Sequence, residues 1–282
     1  MADLMVAYQY SPYTTANYLV KAFERLGHRV WRIGPGQECA ELPDWHTDAY
    51  IWVEAGGGHP RWIEGFRTLD VPCAAWFIDA HSQIRWHRTL AHAFDYAFVA
   101  QKAYVDKFDK EVTWLPVACD PEVHTPPEGI EPECDVVFVG HLYGSHPWYQ
   151  RRRDLLEELG KRYDLAVYEG AYGRDMAAAH ARGRVVFNVS TAGDLNMRVF
   201  EGLCSGRPLV TDAIPGAGLT DLFTPGLDLM AYRDDAEAFG QIDRLLSYPD
   251  AARLTGQSGR KAVLAAHTYE HRAAKMLEVM GV

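Results

Sequence analysis

The stretch GDLNMRVFEGLCSGRPLVTD, Gly193 to Asp212, gathers Asp194, Asn196, Arg198 and Glu201 just ahead of a Gly-Arg-Pro stop and an apolar run. A strand-like run, VVFNVS, precedes it, so these polar groups crowd the start of a helix that follows a buried strand. Free backbone N–H groups and the helix dipole make such an end favourable for a phosphate, and Arg198 adds a charge-assisted donor. Glu201 lies three residues further on and near the same face, where a carboxylate can accept hydrogen bonds from two vicinal hydroxyls such as those of a ribose. The alternative on spacing alone is a surface Arg198–Glu201 ion pair worth about 0.5 kcal/mol behind a helix cap at or near Asp194.

Chemistry of this kind needs elements that hold the residues in place. The chain has 282 residues, enough for two domains of ordinary size, and its 48% apolar and 23% charged composition is that of a soluble globular protein. No run approaches the roughly 18 apolar residues of a membrane span, and MADLMVAYQY carries no export signal. Cys39, Cys73, Cys119, Cys134 and Cys204 are odd in number and widely spaced, which predicts reduced thiols in a cytoplasmic protein rather than disulfides or a zinc site. A formal net charge of -10 argues against long nucleic acid as a partner.

Short β-like runs alternate with helical patterns throughout: LMVAYQY, RVWRIG, AYIWVEAGGG, CAAWFIDAH, YAFVAQ and VTWLPVA in the first half, then DVVFVG, DLAVYEG, RVVFNVS, RPLVTD and DLMAYR. This alternation predicts an α/β protein with parallel sheets covered on both faces. Between Asp120 and Cys134 four prolines interrupt it, as in a linker. The expected organisation is a Rossmann-like domain over 1–120, a linker over 121–134, a second Rossmann-like domain over 135–268, and a helix over 269–282 crossing back to the first. In such sheets ligands bind beyond the carboxyl ends of the strands, which makes the strand-to-helix turns the candidate site. Met197, Phe200 and Cys204 fall on the helix face that the sheet should bury.

NMRVFEGLCSGRPLVTD resembles the ribose- and phosphate-binding segment of GT-B glycosyltransferases, in particular the CgeB-type, spore-protein-like family. VTWLPVACDPEVHTP is similar to that family's interdomain crossing, CDVVFVGHLYGSHPWYQRRRDLLEEL to its first C-domain strand, glycine turn and Arg-bearing helix, and AAHTYEHRAAKMLEVM to its closing helix. The resemblance implies a GT-B fold, two Rossmann-like domains with parallel sheets facing a central cleft. The implied reaction moves a sugar from a nucleotide-sugar donor, a UDP-sugar by preference, to a hydroxyl on a small-molecule, glycan or peptide acceptor. Glu201 would bind the ribose, Asn196 and Arg198 the pyrophosphate, Gly140 would allow close backbone approach, and Thr211 and Asp212 would close the pocket below the nucleotide. Related retaining enzymes carry a second glutamate eight positions before the ribose-binding one. Here that position is Gly193, with Asp194 beside it as a substitute acid or a helix cap.

An inverting reaction needs a general base on the acceptor side. WFIDAHSQ places Asp79 and His81 after a buried strand, and WVEAGGG places Glu54 beside Gly56 to Gly58; capping competes as the role of Asp79. The glycine run, centred on Gly57, either admits a sugar to the backbone or is a bare turn, since no Gly-x-Gly-x-x-Gly register is present. Tyr10 and Tyr13 are candidate acceptor contacts. Of Arg151 to Arg153 one, Arg152, is assigned to the phosphates, with the others solvated or paired with Glu157 or Glu158. No Asp-x-Asp or His-Glu-x-x-His pattern occurs, so no metal site and no obligatory cofactor are expected. Charge on the leaving nucleotide would then be met by the helix dipole and Arg198. Two rival functions keep the same fold: a nucleotide-sugar epimerase, and a nucleotide-sugar-binding module whose catalysis has decayed.

Overall fold

The computed structural model describes residues 1–34, 46–54, 65–144 and 146–282. The chain forms two compact units, Met1–Val117 together with Tyr269–Val282, and Ala118–Thr268. In the first, the strands β1 (Asp3–Ala7), β2 (Arg29–Ile33), β3 (Ala49–Val53), β4 (Cys73–Phe77), β5 (Tyr96–Val99) and β6 (Thr113–Trp114) pair in parallel in the order β2-β1-β3-β4-β5-β6. Strands β3 and β4 are buried at every position, which is why AYIWV and CAAWF are continuous apolar runs rather than alternating ones. Helix α1 (Thr15–Arg25) starts at Thr14, whose hydroxyl accepts the Asn17 N–H at 3.4 Å, and buries Tyr18, Leu19, Ala22 and Phe23. Helix α2 (Ala80–Ala91) follows β4 directly.

The final helix, α10 (Tyr269–Met280), belongs to this first unit and packs on α1 through Tyr269, whose ring lies 5.3 Å from that of Tyr18. Arg272 fastens it, donating through Nε to the carbonyl of Pro116 at 2.7 Å and through Nη2 to that of Val117 at 3.3 Å.

In the second unit β7 (Cys134–Val139), β8 (Leu165–Tyr168), β9 (Gly183–Asn188), β10 (Leu209–Asp212) and β11 (Met230–Tyr232) are parallel in the order β11-β10-β9-β7-β8. Helices α4 (Pro147–Gly160), α5 (Gly173–Arg182), α6 (Met197–Cys204), α7 (Leu219–Leu222), α8 (Asp235–Ser247) and α9 (Pro249–Ala266) connect and cover them. The chain leaves β7 for β8 on one side and returns to β9 on the other. The connections therefore diverge, and a crevice opens beyond the carboxyl ends of β7 and β9.

The proline-rich stretch expected as a linker is built into this unit from its start. Asp120 caps a short helix, α3 (Pro121–His124), by accepting the Glu122 N–H at 3.1 Å, and both Asp120 and His124 are buried. Among the described residues no helix is long and apolar enough to cross a membrane.

Candidate functional site

The crevice between β7 and β9 is braced by one side chain. Arg152, on α4 and only 1% exposed, donates from Nη1 to the carbonyl of His141 at 2.6 Å and from Nη2 to that of Val189 at 2.9 Å. One planar guanidinium thus clamps the exits of the two diverging strands. Burial, and then repulsion from Arg198, lower its pKa to about 10, so it stays charged at neutral pH. These two bonds give Arg152 a positioning role and use two of its five N–H donors, while its buried Nε has no hydrogen-bond partner among the described residues. Nor do its neighbours pair as expected: Arg151 reaches Asp235 at 2.8 Å and Arg153 the carbonyl of Leu142 at 2.7 Å, while Lys161 takes Glu157 and Glu158.

Arg198 stands in the crevice itself. Its Nε donates to Oδ1 of Asn188 at 3.1 Å, Nδ2 of Asn188 donates to the Thr211 hydroxyl at 2.9 Å, and the Tyr232 hydroxyl donates to the Asn188 carbonyl at 3.1 Å. Burial lowers the pKa of Arg198, opposed by the carboxyl groups of Glu201, Asp194 and Asp212. Its guanidinium lies against Gly140, where a Cβ would come within 2.7 Å of Nη1. Only glycine leaves the arginine this path, and the φ of +156° at Gly140 agrees.

Asp212 accepts the Ser190 N–H at 3.0 Å and the Ser190 hydroxyl at 2.5 Å, so its carboxylate shapes the loop after β9. In that loop Ala192 and Gly193 both have left-handed φ, 60° and 66°. A glutamate at position 193 would be strained there, so the backbone path itself accounts for the glycine.

The cap of α6 is Asn196 rather than Asp194, yet its side chain makes no capping bond, and its Oδ1 and Nδ2 are buried without a hydrogen-bond partner. Phe200 and Cys204 are fully buried on this helix, as their spacing implied, and Met197 is half-buried. Glu201 is 2% exposed, which overturns the surface ion pair with Arg198. Its Oε1 is 3.4 Å from Nε2 of His124 and has no hydrogen-bond partner. Burial pushes its carboxyl up to about 8, with Arg198 pulling the other way.

In the first unit Glu54, Asp79 and His81 lie at the carboxyl ends of β3 and β4. Glu54 is buried and fully engaged: Oε2 accepts the N–H groups of Ile78 at 2.7 Å and Asp79 at 2.9 Å, and Oε1 contacts Nε2 of His87 at 3.0 Å and Gln83 at 3.3 Å. Gln101 takes the next N–H, that of Ala80, at 3.1 Å, so three successive peptide groups are pinned by side chains. With its oxygens so engaged, Glu54 supports the turn. Asp79 makes no capping bond, and burial followed by the charge of Glu54 raises its pKa, against His81 and His87. Tyr10 and Tyr13 are 63% and 44% exposed. Gly57 lies outside the described residues. Among the described residues no group of three or more His, Cys, Asp or Glu is placed to hold a metal ion.

Residues 135–278 match the sequence family described as glycosyl transferase-like, more than half of the chain. The chain belongs to this family. A glycosyltransferase from Rickettsia africae superposes on it with a TM-score of 0.67 at 10% identity, over 99% of this chain and 97% of that one. Anabaena Alr3699/HepE, in complex with UDP and glucose, does so with a TM-score of 0.68 at 11% identity over 100% of both chains. A sucrose-phosphate synthase from Thermosynechococcus elongatus gives 0.67 at 12% identity, over 99% and 98%. At these identities the likeness establishes the fold, GT-B with two parallel-sheet units. Comparison with curated protein sequences finds no match. Neither the family nor these structures favour the epimerase alternative.

For this glycosyl transferase-like chain, Gly140, Arg152, Asn196, Arg198, Glu201, Thr211 and Asp212 gather at one end of the second unit's sheet, with Asp194 in the loop beside them. Glu54, Asp79 and His81 gather at a sheet end of the first. Gln101, which follows a strand, was a candidate on that ground, whereas Asn188, His87 and His124 take part without having been singled out from sequence. Asn188 stands at the end of β9, and that position is the signal that could have found it.

Proposed function

We propose that this chain transfers a sugar from a nucleotide-sugar donor, a UDP-sugar, to a hydroxyl acceptor, with the donor held in the second unit and the acceptor served by the first. The observation that carries the reading is the group of buried polar atoms without partners at the start of α6, on Asn196 and Glu201, beside a charged Arg198. Leaving such atoms unsatisfied costs about 1–3 kcal/mol each, so their persistence fits a site completed by a polar ligand. The N–H groups opening α6 and Arg198 meet the pyrophosphate, and Glu201 accepts the ribose hydroxyls. The resemblance of four motifs to those of CgeB-type enzymes supports the same assignment.

Leaving-group charge is met by Arg198 and the dipole of α6, an arrangement in which no protein-bound metal is required. Asp79 acts as general base toward the acceptor hydroxyl, its raised pKa matching that task better than an ordinary carboxylate would. His81 tunes Asp79, and Tyr10 and Tyr13 contact the acceptor.

Isothermal titration with UDP and a panel of UDP-, GDP- and TDP-sugars tests the donor assignment. Wild type binds a uridine nucleotide and Glu201→Ala binds it at least about tenfold more weakly. No binding by wild type, or equal binding by the variant, refutes the proposal.

A further inference from the structure

His124 has no part in the site as assigned above, yet it stands with Nε2 3.4 Å from Oε1 of Glu201, and both residues are at most 2% exposed. Its second ring nitrogen, Nδ1, accepts the backbone N–H of Asp120 at 2.9 Å. A nitrogen that accepts cannot also carry the proton, so in the neutral ring the proton resides on Nε2 and faces Glu201. Asp120, fully buried, in turn caps α3 through the Glu122 N–H. A helix of four residues has little stability of its own, so this pair of bonds between Asp120 and its own turn fixes the ring.

Burial lowers the pKa of His124 to about 4, so the ring is neutral at physiological pH. His180, 2% exposed on α5, is likewise held uncharged, to about 3, by burial and by repulsion from His124 and Arg198. The group that faces Oε1 of Glu201 across 3.4 Å is therefore a neutral donor rather than a cation. A cation at this distance would compete with incoming hydroxyls for the carboxyl oxygens. A neutral N–H orients one oxygen and leaves the remaining lone pairs for a ligand.

We propose that His124 is a positioning residue for donor binding: its Nε2–H, facing Oε1 of Glu201 across 3.4 Å without a formed hydrogen bond in the free protein, closes on that oxygen when a donor is bound, so that the carboxyl group meets the ribose hydroxyls in one orientation. This rests on the donor site proposed above. It also gives the proline-rich stretch after Asp120 a function, as the segment that carries this support into the donor unit.

Two substitutions separate positioning from capping. In His124→Asn the side-chain oxygen reaches the place of Nδ1, keeping an acceptor for Asp120, and nothing donates toward Glu201. In His124→Gln the amide reaches the place of Nε2 and restores a donor. Titration with UDP and thermal unfolding are measured for both, for wild type and for Glu201→Ala.

The expected result is an affinity loss of about tenfold in His124→Asn with a melting temperature within about 2 °C of wild type, and recovery of most of that loss in His124→Gln. Unchanged UDP affinity in His124→Asn, with affinity lost in Glu201→Ala, overturns this inference and leaves the donor site standing. Equal affinity losses in both His124 variants, in proportion to their melting temperatures, also overturn it, because His124 then acts only through the fold. Wild type that binds no UDP removes the donor site itself, and this inference with it.

Discussion

Glu201→Gln tests the electrostatics of the donor site without any substrate. Burial raises the Glu201 pKa from its ordinary 4.5 to about 8. The folded protein therefore holds this proton more tightly than the unfolded chain does. The stability the proton contributes is complete below pH 4.5 and is lost as the pH rises through about 8. At about 1.4 kcal/mol per unit, the interval between 4.5 and 8 corresponds to about 5 kcal/mol, of which about 4 kcal/mol falls between pH values of about 5 and 9. Glutamine has the same shape and no titration, so it escapes the loss. Every other group titrates in both proteins and cancels in the difference. Urea unfolding at a series of pH values should show Glu201→Gln gaining on wild type by about 4 kcal/mol across that range, with unchanged denaturant slopes. A difference that stays flat, or one that moves in favour of wild type as pH rises, refutes the claim that Glu201 is buried and protonated in the free protein.

Gly140→Ala places a Cβ against the Arg198 guanidinium and should weaken UDP binding by about tenfold while leaving the circular dichroism spectrum unchanged. Arg152→Met uncovers the carbonyls of His141 and Val189 and should destabilise the protein by about 2–4 kcal/mol in chemical unfolding. For Asp79, donor hydrolysis read as UDP release should rise with pH along a limb displaced upward from that of an ordinary aspartate, because the base must be ionised to act. Asp79→Asn should lower that rate by about 10²-fold or more, and Glu54→Gln should move the limb to lower pH by removing the neighbouring negative charge.

The parallel sheets were legible because strands covered on both faces must be apolar throughout, and AYIWV and CAAWF are. Strand order was not, since periodicity says which residues pair with a sheet and nothing about which neighbour they choose. Asn196, Arg198 and Glu201 stood out because polar groups rarely crowd the start of a helix behind a buried strand without a ligand or cap to explain them. Whether Arg198 and Glu201 form a surface pair or a buried site is decided by α3 and α5 packing beside them, a tertiary fact absent from their spacing. The same limit hid His124: four prolines and no apolar period describe a linker well, and only a contact across 77 positions, with Glu201, makes the histidine part of a core. Arg152 could be picked from its triplet, but its occupation by two backbone carbonyls depends on where β7 and β9 end.

The return of α10 to the first unit has a consequence for how the protein is made. A ribosome delivers β1 to β6 and α1 early, with Tyr18 and its neighbours still lacking their cover, and then emits the whole of Ala118–Thr268 before the closing helix emerges. The second unit is contiguous and can complete its core first, reversing the usual order in which the segment synthesised first is the first to mature. Until Tyr269 and Met276 dock, the face of α1 that carries Tyr18 lacks its cover, so completion of the first unit's core waits on the residues that follow the second unit.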